Sequence, residues 1–346
     1  MKHQTTRYGE IPFYKIGTFG NTADAFISKK LFLEYKTKYS FPKKGDILIS
    51  ASGTIGKAVI YDGKPAYFQD SNIVWIDNDE TLVKNDFLFY AYSNVKWNTE
   101  HTTILRLYND NFRNTLIPLP PLNEQSAIAN ILSTLDRYLC ALDALILKKE
   151  GVKKALSFEL LSQRKRLKGF NQAWQRVRLG DIANYLTSNL SAEQITQQGK
   201  IKVYDVNNFI GYTDTTFISD KPYISIVKDG SVGRVRILPP KTNILSTMGA
   251  LIANHRTTTE FLFYLLSNFD FKNFTSGSII PHIYFKDYKE KTIFLPPLNE
   301  QSAIANILSA LDNEIISLKN KKRQFENIKK ALNHDLMSAK IRVLKQ

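Results

Sequence analysis

The chain has 346 residues and is 43% hydrophobic, which is enough for two domains with real cores and too apolar for a disordered polymer. Lys and Arg number 47 against 32 Asp and Glu, and the net charge of +15 favours a polyanionic partner, nucleic acid before an acidic membrane surface. A single cysteine, Cys140, excludes a disulfide framework and fits a reducing cytoplasm; no apolar run of membrane length and no secretory leader follows Met1-Lys2-His3.

Residues 1–118 mix aromatic and β-branched residues with turn signals at 42–45, 52–56 and 62–63. Residues 46–50 (DILIS), 58–61 and 73–76 are predicted strands, and 85–94 (NDFLFYAYSN) a short buried helix. Pro120-Pro121 closes the block; Asn123 is the predicted N-cap of a long helix, with Glu124 in its first turn. Apolar residues follow at Ile128, Leu132, Leu135, Leu139, Leu142 and Ile146, at steps of four and three, the period of a coiled-coil seam. Leu156 and Leu160 extend the pattern, Cys140 is read as packing, and Gly151 predicts a kink or weak point.

Residues 174–294 repeat the mixed block. Strands are predicted at 223–227, 232–238 and 244–246, and a helix at 259–268 (TEFLFYLLSN), which shares FLFY with the first. Pro296-Pro297, Asn299 and Glu300 then open a second long helix with Ile304, Leu308, Leu311, Ile315 and Leu318 on one stripe, continued by Phe325, Leu332 and Leu336. Each helix is expected to run about 40 residues, about 60 Å at the standard rise. The simplest packing sets the two antiparallel, with the mixed domains at opposite ends of a rigid spacer. The seam residues, with Glu124, Gln125, Glu300 and Gln301 at the helix starts, are the expected helix–helix and partner-docking positions.

Fifteen residues, LPPLNEQSAIANILS at 119–133, recur without change at 295–309. Chance does not produce such a match. Two copies of a long period are not a solenoid, which needs several short units. They imply two half-molecules about a pseudo-two-fold axis, a symmetry that suits duplex DNA. The likeness continues outside the helices. Residues 9–28 resemble 199–219, residues 45–61 play against 223–238, and TTILRLYNDNF (102–112) stands opposite SIIPHIYFKDY (278–288). One asymmetry stands out: with Gly9 set against Gly199, about 17 residues of the second block, VRLGDIANYL among them, have no counterpart in the first.

Catalytic motifs are sparse. SGTIGKA (52–58) lacks the glycine and the hydroxyl residue of a phosphate loop, since Ala51 and Ala58 stand there. KDGSVGR (228–234) occupies the same place in the second block. Both are tight turns between strands, either purely structural or DNA-facing, where glycines let a phosphate approach the backbone. The five histidines show no metal spacing, so no metal and no catalytic residue is assigned. Candidate DNA-binding residues are Ser52, Thr54 and Lys57 with Arg106, Tyr108, Asn109 and Arg113. Their opposite numbers are Ser231, Arg234 and Arg236 with Ser278, His282, Tyr284 and Lys286. Basic residues also crowd the long helices (148–168 and 319–330), as a solvated face or as a track for phosphates.

PLPPLNEQ, the alternation of mixed block and heptad helix, GDILISASGTIG, and the segments KKALSFELLSQRKRL (153–167) and KKALNHDLMSAKIRVL (329–344) resemble the specificity subunit of type I restriction–modification systems over nearly the whole chain. The resemblance implies an α+β fold: two mixed target recognition domains (1–118 and 174–294) joined by two long antiparallel coiled-coil helices (119–173 and 295–346). It implies a non-catalytic cytoplasmic subunit that reads a bipartite, asymmetric site on double-stranded DNA. Two methyltransferase subunits would bring S-adenosylmethionine, and restriction subunits would bring ATP and Mg. Members usually begin with a segment like VRLGDIANYL, which the first block lacks. A stand-alone coiled-coil interaction protein and a silent or truncated specificity allele are the alternative readings.

Overall fold

A computed structural model describes residues 4–68, 72–97 and 106–344. It divides into two compact units, residues 1–143 with 320–346 and residues 144–319. The boundaries fall inside the two long helices, so each unit holds one mixed domain and a part of each helix.

In unit 1 the strands are β1 (Ile11–Tyr14), β2 (Ala25–Ile27), β3 (Ile47–Ser50), β4 (Ala58–Ile60), β5 (Tyr67–Phe68) and β6 (Ile73–Trp75). Its helices are α1 (Lys29–Lys38), α2 (Asn85–Asn94) and α3 (Asn109–Arg113), followed by α4 (Leu122–Leu161), which continues into unit 2. Two three-stranded sheets form, ordered β2-β1-β5 and β4-β3-β6. In the second, β3 pairs antiparallel with both neighbours, Leu48 opposite Val59 and Trp75. Its run of buried residues marks it as the central strand, and Ile47 and Ile49 pack on Leu88 and Tyr92 of α2.

Unit 2 carries β7 (Gln175–Arg178), β8 (Ala183–Thr187), β9 (Ile201–Tyr204), β10 (Phe209–Thr213), β11 (Tyr223–Val227), β12 (Val235–Leu238), β13 (Thr242–Ile244) and β14 (Met248–Ala253). Then come α5 (Thr259–Ser267), α6 (Phe285–Tyr288), β15 (Thr292–Leu295) and α7 (Leu298–Met337), whose end lies in unit 1. The orders β10-β9-β13 and β12-β11-β14-β8 reproduce the two sheets of unit 1, with β8 added at one edge. A further pair, β15-β7, is antiparallel with Ile293 opposite Val177.

Both long helices are 40 residues, as the heptad pattern predicts. They begin at Leu122 and Leu298, one residue before the predicted caps. Asn123 and Asn299 lie inside the first turn, where each side-chain oxygen accepts the next amide at 2.9 Å. Gly151, read as a kink or weak point, falls within α4. The helix is continuous there and nothing crowds the glycine, so its cost is only backbone entropy.

The helices pair antiparallel in each unit. In unit 1 Asp136 meets Lys329 and Asp143 meets Lys322; in unit 2 Lys149 meets Glu314 and Lys153 meets Asp312. The Asp–Lys pair is built twice, with a tyrosine of the domain helix as third member. Tyr90 donates to Asp136 at 2.7 Å, and Tyr264 donates to Asp312 at 2.9 Å. The lysine lies over the ring of the same tyrosine, 5.6 Å away in unit 1 and 5.7 Å in unit 2. Burial first, then the aspartate, holds both phenols above their ordinary pKa, so they remain donors.

The stripe read as a helix–helix seam has a second target. Ile128 and Leu132 pack on Phe87, Tyr90 and Ala91 of α2, with Leu336 and Met337 of α7 completing the cluster. Ile304 and Leu308 enter the corresponding cluster with Phe261, Leu262 and Tyr264 of α5. Leu142 and Ile315 are buried, while Leu135, Leu139, Leu311 and Leu318 are half-buried.

Candidate nucleic-acid interface

Each unit closes its central sheet with a glycine turn after the middle strand. Gly53 and Gly56 in one turn, and Gly230 and Gly233 in the other, all have φ between 70° and 82°. A side chain at Gly56 would strike the Trp97 ring, and one at Gly233 the Phe271 ring. Glycine is thus required for a left-handed backbone and for aromatic packing beneath the turn.

The turn is joined to the stretch expected to read bases. A β-bridge links Ser52 to Arg106 in unit 1, and another links Asp229 to His282 in unit 2. The amide of Leu107 donates to Ala51 at 2.9 Å, and that of Ile283 to Lys228 at 2.9 Å. The structure therefore brings together, in both units, two groups of candidates separated by some 50 residues of sequence. Of the stretch 102–112, residues 102–105 lie outside the described residues.

The side chains then diverge. In unit 1 Thr54, Arg106, Tyr108, Asn109 and Arg113 are exposed, while Ser52 is buried. Arg113 lies 3.6 Å from Asp110, an exposed pair of small value. Lys57, a candidate DNA-binding residue flanking the turn, is turned inward, with its ammonium on the Phe19 carbonyl at 2.5 Å. In unit 2 Ser231, Arg234, Ser278, Tyr284 and Lys286 are exposed. Arg234 and Arg236 converge on Asn207, one on its side-chain oxygen and the other on its carbonyl, both at 2.8 Å, and Arg236 stacks over Tyr204. His282 sits 2.7 Å from Asp229, and Lys286 lies over Tyr284.

Two features escaped the sequence reading. Asn207, in the β9–β10 turn, sets the direction of both arginines, and its distance in sequence hid that role. Ile279 is 92% exposed at the tip of a hairpin closed by the Ser276–His282 bridge. Two successive isoleucines beside Ser278 were the available signal. Arg, Tyr and Asn side chains on a glycine turn can contact phosphates and base edges, and an exposed apolar tip can wedge against a base step.

The residues singled out at the helix starts are mostly interior. Gln125 and Gln301 tie each long helix to the start of the neighbouring domain helix. Gln125 accepts from the Lys84 amide at 2.8 Å and donates to Leu82 and Pro120; Gln301 accepts from the Thr258 amide at 3.0 Å and donates to Arg256 and Pro296. Glu300 is fully buried and accepts from Arg166 at 2.6 Å and from the Trp174 indole at 2.9 Å. The matched contacts of Gln125 and Gln301 account for the repeated glutamine as architecture.

The model of the type I restriction modification DNA specificity domain matches residues 1–149 and again 171–327. A putative type I restriction enzyme specificity subunit of Haemophilus influenzae is 64% identical over 133 residues, which is 38% of this chain and 34% of the relative's length. The putative MjaX specificity subunit of Methanocaldococcus jannaschii is 29% identical over 335 residues, 86% of this chain and 79% of that one. Among solved structures, the fold is similar to that of a type I restriction–modification S subunit from M. genitalium, with TM-score 0.64, 20% identity, and coverage of 97% of this chain and 91% of that one. A chain from work on assembly and conformational transition of the type I R-M system matches at TM-score 0.53 and 16% identity, over 85% of this chain and 82% of that one.

Proposed function

Because the chain belongs to the type I restriction–modification DNA specificity family, as a specificity subunit, we propose that it reads a bipartite, asymmetric site on double-stranded DNA, one half per unit. The observation that carries this reading is the same turn-and-bridge scaffold bearing different side chains, Ser52 with Arg106 in one unit and Asp229 with His282 in the other. A common frame with unlike readers suits two unlike half-sites. The subunit does no chemistry itself. Two methyltransferase subunits supply S-adenosylmethionine, and restriction subunits supply ATP and Mg. Exposed apolar residues on the long helices, Leu147 and Ile316 among them, are docking positions for those partners, and the basic helix residues follow phosphates.

The experiment is a genome-wide map of N6-methyladenine in the native host with and without this gene. A bipartite motif that disappears on deletion is the expected result. An unchanged map would overturn the reading.

A further inference from the structure

The Asp229–His282 pair of unit 2 has no chemical counterpart in unit 1, although the backbone frame around it does. Ser52 and Arg106 stand at the same two places and form the same bridge. A serine and an arginine make no acid–base ion pair, so the bridge does not require one. Asp229 is also the one carboxylate in residues 228–234 and 276–284, and residues 52–57 and 102–109 carry none. An acid on a surface that meets a polyanion is repelled by it. Asp229 therefore needs a reason to stand there other than holding the frame.

The frame clamps His282 on both flanks. Its amide donates to the Ser276 carbonyl at 2.7 Å, and its carbonyl accepts from the Ser276 amide at 2.9 Å. On either side the Gly230 amide donates to Pro281 and the Ile283 amide to Lys228, each at 2.9 Å. The ring is bracketed as well. Nδ1 lies 2.7 Å from the Asp229 carboxylate, and Cδ2 lies beside Gly277, where a Cβ would come within 3.1 Å of it. The remaining edge carries Nε2, which has no partner among the described residues, and the side chain is 35% exposed. A carboxylate only accepts, so Nδ1 carries the proton, and the neutral ring presents Nε2 as an acceptor. The DNA backbone offers phosphate and sugar oxygens but no donor. The donors on duplex DNA are the exocyclic amines of the bases: adenine N6 and cytosine N4 in the major groove, guanine N2 in the minor. An acceptor held in this way has no partner on the backbone and can only read a base. The ring sits at the foot of the hairpin closed by the Ser276–His282 bridge, and a two-stranded ribbon fits the major groove.

We propose, resting on the bipartite-site reading above, that His282 determines specificity in unit 2 by accepting a hydrogen bond from a major-groove amine, adenine N6 or cytosine N4. Asp229 is the positioning residue that fixes the acceptor, and its charge disfavours the acceptor-rich edge of guanine. Arg106, at the matching place in unit 1, has donors only and suits guanine O6 and N7. The two half-sites therefore differ in hydrogen-bond sense at one shared position of the frame.

The test selects duplexes from a DNA library of random core sequence with the full chain at pH 8, where imidazole is ordinarily neutral. Selected duplexes are then rebound with one amine deleted at a time: purine for adenine, 2-pyrimidinone for cytosine, inosine for guanine. One adenine or cytosine position of a single half-site is expected to lose about tenfold in affinity, and His282→Ala to abolish that penalty. In Asp229→Asn the amide can donate to Nδ1 and leave the proton on Nε2. The same penalty should then vanish while the other positions of both half-sites stay selected. His282→Arg should move the position to guanine. If every amine penalty survives in His282→Ala, or the one that disappears belongs to inosine, the proposal is overturned. Loss of the whole half-site in Asp229→Asn would also overturn it, by marking the pair as structural. A wild-type chain that selects no motif overturns the bipartite-site reading itself, and this assignment with it.

Discussion

Gln301 shows how much one amide can do. It is fully buried, and its oxygen accepts from the Thr258 amide and the Thr257 hydroxyl while its nitrogen donates to Arg256 and Pro296, so all its hydrogen-bonding capacity is used. It joins the first turn of α7 to the first turn of α5 and fixes the angle between them. Gln301→Leu keeps the volume but strands several buried polar groups, each worth about 1–3 kcal/mol. The expected loss is about 3 kcal/mol in urea unfolding, against a change within about 0.5 kcal/mol for Ser302→Ala on the exposed face. The sequence marked this glutamine through exact repetition, but periodicity only placed it at a helix start. The four groups it serves come from two chain segments, 256–258 and Pro296, so its role becomes visible only when those segments meet.

At the scale of elements, the starts of the long helices were legible to within a residue and their length to about 40 residues, because a three-four apolar step sustained over many turns has no other stable reading, while the segments assigned to them, 119–173 and 295–346, run past the ends at Leu161 and Met337. What the stripe faces was not legible. Leu308 is fully buried against Phe261, Leu262 and Tyr264 of α5, not only against the sister helix. Leu308→Asp is therefore expected to destabilise unit 2 itself, by about 4 kcal/mol or more, through a buried unpaired carboxylate and lost packing. Circular dichroism during denaturation checks this; a fully folded unit 2 with helices merely separated would contradict it. The short strands were harder to read. The strand expected at 244–246 lies at Thr242–Ile244, since β13 is set by parallel pairing with β9, a register that no local pattern encodes.

At the scale of the molecule, buried phenols in both units tie stability to pH. Tyr90, Tyr92, Tyr264 and Tyr288 are held above their ordinary pKa, chiefly by burial, and Tyr223 is pushed up to about 12 by the same cause. The fold favours their protonated form, so this stabilisation is complete below the unfolded value near 10 and is lost as pH rises through the folded values. The urea midpoint should fall between pH 9 and pH 11, with phenolate absorbance appearing together with unfolding; phenolate formation well before unfolding would contradict this. The sequence by itself determined the internal repeat, the two mixed blocks, the paired long helices and the basic character, because repetition, heptad period and charge are properties of residue order. Tertiary structure decided the rest. It joined the 52–57 turn to 106–109, drew Lys57 inward and set Asn207 beneath two arginines. Those outcomes depend on which distant segments share an edge or a cavity, and burial and hydrogen-bond satisfaction are settled only once the chain has folded.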